Sequence, residues 1–169
     1  MAFAARRAKE DFPAVAVRCE DASDVSAPTM LISHVIGELS PAQLDGLLAQ
    51  AIRATAVVWV EPGAHEDSRR LLAVRERLRG EFRLVGPCTH DGPCGLLAAG
   101  GERHWCHHFA ATPAEVFMDG DWARFARLAG IDLRSLPLSW LAMDKRPPAP
   151  LPAGAARVIG RPRVTKDAA

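Results

Sequence analysis

The alternation of hydrophobic and polar positions along the chain predicts several short strands separated by amphipathic helices. The β-type runs are Ala14–Arg18, Thr29–Val35, Ala56–Val60, Phe82–Val85 and Leu138–Met143. The second run is almost continuously apolar, which is typical of a strand buried on both faces. Ala56–Val60, with three valines and a tryptophan, is the strongest strand of the set.

Between these strands, apolar residues recur at helical spacing. Ser40 is placed to cap a helix that has Pro41 at its first position. A second helix is predicted from about Glu66 to Arg79, with leucines and Val74 facing inward. Its arginines are expected to face water, where a phosphate-binding face is the functional alternative: Arg69, Arg70, Arg75, Arg77 and Arg79. Thr112–Glu115 has the form of a capping box, and Gly120 is predicted to break the helical region that follows it.

The order of strands and helices predicts an α/β fold with a parallel, doubly wound sheet and helices on both faces. We expect an α/β domain over residues 1–146, with a cysteine-rich loop at 86–109, and a proline-rich basic tail over 147–169. In open α/β sheets the ligand lies at the carboxyl ends of the strands, where this loop is expected to lie.

Composition adds one asymmetry to this picture. The chain has 169 residues, 49% of them hydrophobic, and a net charge of +1. The segment from Lys145 to Lys166 contains basic residues but no acidic one, as in an arm that follows a phosphate backbone. The candidate RNA contacts are Arg157, Arg161, Arg163 and Lys166, and the alternative is a solvated terminus.

The sequence also bears on compartment and partners. No apolar run reaches the roughly 18 residues of a membrane span. The first residues lack the apolar middle of a signal peptide. We expect a cytoplasmic protein if the source is bacterial and a mitochondrial one if it is eukaryotic, with neither membrane nor DNA as a partner.

The most informative chemistry is concentrated between Cys88 and Phe109. Three of the four cysteines and four of the six histidines fall there, separated by glycines and a proline that favour tight turns. Thiolates and imidazoles are the ligands of zinc and of iron–sulfur clusters. Cys88, Cys94 and Cys106 are therefore predicted to hold a metal ion or cluster.

Alternatives remain for this loop and for its fourth ligand. A disulfide would need an oxidising compartment. Cys19 could supply the fourth ligand, although a lone cysteine is more often a buried apolar residue. The loop histidines could complete a Cys₃His zinc site or cap a cluster. His107 and His90 are the preferred candidates, and a hydrogen-bonded loop histidine is the alternative for each.

Five segments in this order resemble the Rsm family of methyltransferase-like proteins of the mitochondrial small ribosomal subunit, which has bacterial relatives. They are Leu31–Leu39, Val58–Gly63, Val85–Cys94, Trp105–His107 and Ser139–Arg146. The resemblance covers roughly residues 29–166. The combination of Pro-Cys-x-His-x-x-x-Cys with Trp-Cys-His is its most specific part.

The resemblance implies a class I S-adenosyl-L-methionine-dependent methyltransferase fold carrying a [4Fe-4S] cluster. It implies Cys88, Cys94 and Cys106 as cluster ligands, with a further cysteine nearer the C-terminus. It also implies the small ribosomal subunit or its rRNA as partner, and a role in ribosome assembly or translation. Glu61 and Ser33 lie where this fold binds its cofactor. A turn residue ahead of Pro62 is an equally good interpretation of Glu61.

Catalysis is not assigned by the sequence. A class I methyltransferase binds its cofactor through a Gly-rich loop, and no such loop follows a predicted strand here, so the chain is expected to match the C-terminal half of the family. The active S-adenosyl-L-methionine-dependent rRNA methyltransferase is one hypothesis. A small zinc-stabilised domain without an RNA role is another.

Overall fold

A computed structural model describes residues 2–16, 28–133, 135–147 and 154. These residues form a five-stranded mixed sheet with helices. The strands are β1 (Thr29–Ser33), β2 (Ala56–Pro62), β3 (Arg83–Gly86), β4 (His108–Phe109) and β5 (Pro137–Asp144). The helices are α1 (Ala2–Asp11), α2 (Pro41–Ala51), α3 (His65–Leu78), α4 (Glu115–Met118) and α5 (Gly120–Ala129). A 3-10 turn lies at Gly95–Leu97.

The strand order is β1-β2-β5-β3, and the expectation of a fully parallel sheet is wrong. β1 and β2 are parallel, whereas β5 runs antiparallel to both β2 and β3. β4 also pairs with β5, and because β2 occupies the other edge of β5 along its length, β4 lies in line with β3. β3 pairs with the second half of β5 and β4 with its first residues, and β5 runs antiparallel to both.

The buried core lies on one face of this sheet. Ile32, Trp59 and Leu141 are paired across three strands, so their side chains point to the same side. They form one cluster with side chains of α2 and α3, which are the helices that supply buried core residues within the described ranges. On the other side Leu31 is 72% exposed. The expectations of helices on both faces, and of burial on both faces for the strand predicted at Thr29–Val35, are therefore wrong for the described residues.

Two helix starts show what local sequence decides. Ser40 caps α2 as predicted, with the reciprocal bonds of a capping box to Gln43. The box predicted at Thr112 is wrong, because the Thr112 hydroxyl donates to the carbonyl oxygen of Leu133 at 2.9 Å and α4 begins at Glu115 without a side-chain cap. A tertiary partner replaces the local one.

Some predicted segments fall at the limits of the described residues. Residues 14–16 are not in a strand, and the rest of the strand predicted at 14–18 lies outside the described ranges, as does Cys19. All but residues 147 and 154 of the predicted tail lie outside them too. In the part of the chain that is described, no helix has the length and apolarity that crossing a membrane requires.

The end of β5 carries an ion pair with a measurable signature. Arg146 donates to the carboxylate of Asp144 through its side chain, at 2.6 to 3.1 Å, and through its backbone N–H. These bonds lower the pKa of Asp144 from 3.8 to about 2. A carboxylate whose pKa is lowered in the folded state stabilises the fold at pH values above its unfolded pKa. For Asp144 this contribution is lost as the pH falls through about 2.

Arg146→Ala is accordingly expected to return the pKa of Asp144 towards 3.8, as followed by carboxyl NMR chemical shifts during an acid titration. Arg103→Ala, which removes an exposed arginine elsewhere, is the control and should leave this titration unchanged. An Asp144 pKa that stays near 2 in Arg146→Ala would contradict the assignment.

Candidate metal centre

The cysteine-rich loop, residues 86–109, lies at the carboxyl edge of the sheet, as the sequence predicts. It leaves the end of β3 and returns as β4 beside the first residues of β5. Trp105 ties the loop to the end of β2, because its Nε1 donates to the carbonyl oxygen of Gly63 at 2.9 Å. β1, β2 and β3 share one direction, so their carboxyl ends and this loop lie at the same edge.

Gly86 opens the loop where Trp140 of β5 lies against the backbone. A Cβ atom at position 86 would lie 2.5 Å from the Trp140 ring, a separation that a side chain cannot occupy. The close approach of ring and backbone therefore requires glycine here, and the loop begins against the sheet rather than away from it.

One face of α3 holds the segment around each cysteine. Ser68 donates to the carbonyl oxygen of Cys106, and the Cys94 N–H donates to the Glu76 carboxylate at 3.0 Å. Arg75 directs its Nε to the Sγ of Cys88 at 3.3 Å. Residues 75 and 76 follow residue 68 by seven and eight positions, which is two helical turns, so all three lie on the side of α3 that faces the loop.

Arg69 of the same helix organises the middle of the loop. A single terminal nitrogen of its guanidinium donates to the carbonyl oxygens of Leu96, Gly101 and His104 at 3.0 to 3.1 Å. Planar guanidinium groups suit such convergent acceptors. The expectation that the arginines of α3 all face water is therefore wrong for Arg69, which is partly buried, and for Arg75.

Arg75 is the buried charge of the site, with no exposed side-chain surface. Besides Cys88, it binds the carbonyl oxygens of His90 and Gly92 at 3.2 and 2.8 Å and pairs with Glu76. Burial alone lowers the pKa of Arg75, but the hydrogen bonds and charges of Cys88 and Glu76 outweigh it and raise the pKa above its ordinary value. The guanidinium therefore places a fixed positive charge beside the Cys88 sulfur.

The three loop cysteines, Cys88, Cys94 and Cys106, are half-buried thiols rather than disulfides. Three soft sulfur donors in one loop fit the chemistry of zinc or an iron–sulfur cluster. Within the described residues, however, no group of three or more histidine, cysteine, aspartate or glutamate side chains is placed closely enough to hold a metal ion. The metal centre therefore stays a prediction, supported by the chemistry of its donors.

The histidines of the loop divide into different settings. His90 is exposed, and His107 is exposed with its ring stacked on Trp105. His108, which the sequence analysis did not prefer, places its Nε2 3.4 Å from the Sγ of Cys106. Two ligands of one tetrahedral zinc lie about 3.6 Å apart, given Zn–S of about 2.3 Å and Zn–N of about 2.1 Å. His108 is thus spaced from Cys106 as a co-ligand would be.

Glu61 occupies the interior at the end of β2 and is 1% exposed. Its Oε1 accepts from the Trp59 indole N–H at 2.6 Å and from the backbone N–H groups of Ile36 and Val35 at 3.1 and 3.2 Å. This carboxylate fastens the segment after β1 to the end of β2. A cofactor contact by Glu61 stays a prediction, and the observed contacts are structural.

Ser33 ends β1 at the same edge and remains exposed. Its hydroxyl lies 2.7 Å from the Nδ1 of His34. His34 has a φ of +54°, the left-handed region that non-glycine residues enter at some cost and that often marks functional sites. The cofactor contact predicted for Ser33 stays a prediction. The RNA contacts predicted at Arg157, Arg161, Arg163 and Lys166 lie outside the described residues.

Three residues of α3 hold the loop near its cysteines, and we call them the clamp: Ser68, Arg75 and Glu76. Sequence reasoning missed the clamp, although one signal was present. Leu71, Arg75 and Leu78 follow one another at four and three positions, so Arg75 occupies the apolar stripe of the helix. A charged residue at a stripe position indicates a buried cation with a nearby anionic partner. No comparable signal marked Ser68 or Glu76.

The fold and the site define an α/β protein with a cysteine- and histidine-rich loop at the carboxyl edge of a mixed sheet. The family model for the mitochondrial small ribosomal subunit Rsm22 matches residues 4–169, and the chain belongs to this family. The resemblance found in the sequence is thereby confirmed, and membership supports a role associated with the small ribosomal subunit. Among curated proteins, none matches the chain.

Proposed function

We propose that the protein acts at the small ribosomal subunit as a methyltransferase-like, RNA-binding protein whose cysteine loop is a metal-stabilised contact surface. The observation that carries this proposal is the clamp: separate residues of α3 hold the segments around Cys88, Cys94 and Cys106 at the carboxyl edge of the sheet. Family membership supplies the ribosomal setting. The role follows from a preorganised loop at the edge where α/β sheets bind ligands.

The metal proposed here is structural. Cys88, Cys94 and Cys106 would hold it, with His108 as an additional donor beside Cys106. Such a centre cross-links segments of the loop, none of whose residues belongs to the buried core cluster. A [4Fe-4S] cluster follows from the family resemblance, and zinc is the alternative that fits a Cys₃His set.

The direct test combines metal analysis with ribosome association. Protein purified without oxygen is expected to contain iron with a visible absorption band that dithionite bleaches, or else stoichiometric zinc. In a sucrose gradient of a cell extract it should sediment with the small ribosomal subunit. Neither metal in the protein would refute the metal-stabilised loop, and exclusive recovery at the top of the gradient would refute the ribosomal role.

Cys94→Ser is expected to reduce metal content and to make the loop sensitive to proteolysis while the core stays folded. The melting temperature should fall by only a few degrees, because loop side chains contribute nothing to the buried core cluster. Metal content, tryptic cleavage within residues 86–109 and the thermal melt are measured together. Ser135→Ala, an exposed loop position, is the control, and unchanged metal content in Cys94→Ser would contradict the assignment.

A second candidate function is methyl transfer from S-adenosyl-L-methionine. The strand order favours it, because class I methyltransferases insert their last strand antiparallel between the two preceding ones, as β5 lies between β2 and β3. Titration calorimetry of the protein with S-adenosyl-L-methionine tests this function. If a large excess of S-adenosyl-L-methionine produced no heat of binding, methyl transfer would be refuted as a function of this chain.

A further inference from the structure

Four rings form a continuous row on the surface, and three of them belong to the cysteine loop. The His65 and Trp105 rings meet edge to face at 5.2 Å, Trp105 and His107 stack at 5.0 Å and 29°, and His107 meets Phe109 edge to face at 5.5 Å. We call these four residues the ring row. Neither the fold nor the metal hypothesis requires an exposed row of this kind.

The chain builds the ring row by simple alternation. Trp105, His107 and Phe109 are alternate residues of an extended segment that ends in β4, so their side chains share one side. Cys106 and His108 fall on the other side, where their sulfur and Nε2 lie 3.4 Å apart. The segment therefore presents donor atoms inward and rings outward.

The first two rings of the row, His65 and Trp105, are anchored by hydrogen bonds, whereas His107 and Phe109 at the other end are open to solvent. The His65 ring contacts the carbonyl oxygen of Glu102 at 2.8 Å, and the Trp105 indole is bonded to Gly63. Trp105 is partly buried, whereas His65 and His107 are exposed and Phe109 is 62% exposed. Rigid, exposed rings lose little entropy when a further flat group stacks on them.

We propose that the ring row binds unstacked bases of single-stranded RNA, with Phe109 and His107 as its stacking platform. This inference rests on the proposed RNA-binding function and assigns that function a surface. Tryptophan, phenylalanine and histidine are the side chains on which splayed bases stack, and every base offers a π-face. Recognition at the ring row is thus tolerant of sequence and depends on single-strandedness.

The charges around the ring row support stacking as the main interaction. Arg70 and Arg103 are exposed cations near it, but Glu66 pairs with Arg70 and Glu102 stands next to Arg103. Arg69 is occupied by loop carbonyl groups. Because cations and anions balance locally, the contribution of the ring row to affinity should depend little on salt.

The test is fluorescence anisotropy with a labelled single-stranded RNA of about twelve nucleotides, using the full chain purified without oxygen. Phe109→Ala and Phe109→Leu are each expected to weaken binding at least about fivefold, while Phe109→Trp retains it. Leucine keeps an apolar side chain without a ring, so it separates stacking from burial. Phe117→Ala is the matched control, because Phe117 is 61% exposed but lies on α4.

The outcomes separate this inference from the function on which it rests. No binding of RNA by the unaltered protein overturns both. Tight binding that is equal in Phe109→Ala and the unaltered protein overturns the ring row alone. If Phe109→Ala kept its RNA affinity but no longer sedimented with the small subunit, the ring row would be a contact for protein. This outcome would also overturn the proposal. A preference of the unaltered protein for duplex RNA over single-stranded RNA of equal length would overturn it as well.

Discussion

Replacing Arg75 with alanine is expected to lower the free energy of unfolding by about 3–5 kcal/mol, because a buried cation and the donor of several hydrogen bonds are lost together. The change removes a fully buried guanidinium and leaves the Cys88 sulfur and the carbonyl oxygens of His90 and Gly92 without this donor. Glu76 keeps its bonds from the Cys94 N–H and from Arg79. The loss also falls where α3 holds the loop. Urea unfolding followed by circular dichroism measures it, and the melting temperature should fall by roughly 10 °C.

Two further variants make the Arg75 experiment specific. Arg75→Lys keeps the charge but not the planar fork that reaches Cys88 and two carbonyl groups at once, so an intermediate loss is expected. Arg77→Ala, on the same helix, removes an exposed pair with Asp45 and should cost about 0–1 kcal/mol. Equal stability of Arg75→Ala and Arg77→Ala would show that the buried cation has no structural role.

The parts of the fold that followed from sequence are those set by neighbours along the chain. Ser40 and Gln43 lie three residues apart, and their capping box began a helix where the sequence predicted one. The direction of β5 was not accessible in this way. It depends on pairing with β2, in which Trp59 meets Leu141 across 82 positions of the chain, and a strand carries no local mark of the direction in which it will pair.

The candidate site was accessible to sequence reasoning to a similar extent. Clustered cysteines and histidines located the loop, and the strand that precedes it placed the loop at the carboxyl edge. The partners that shape the loop were hidden, because Ser68 and Glu76 reach residues 38 and 18 positions away. A polar residue on a helix has many possible distant partners, and only the fold selects among them.

Glu61→Ala is expected to lower the free energy of unfolding by about 3–5 kcal/mol, because it removes a buried acceptor and leaves the Trp59 indole N–H and the Ile36 backbone N–H unsatisfied. The alanine also leaves unfilled volume beside the core. Glu61→Gln retains an acceptor oxygen but loses the charge-assisted bonds, so about half the effect is expected. Urea unfolding measures both variants.

A double-mutant cycle with Trp59→Phe separates the role of Glu61 in the fold from a role in ligand contact. Trp59→Phe removes the indole donor, so Glu61→Ala should cost less in that background, with a coupling energy of about 0.5–3 kcal/mol. The backbone donors of Val35 and Ile36 hold the turn that follows His34, whose left-handed conformation needs such support. If Glu61→Ala instead left stability unchanged, its carboxylate would be available for the cofactor contact that the family resemblance implies, and the structural assignment would be wrong.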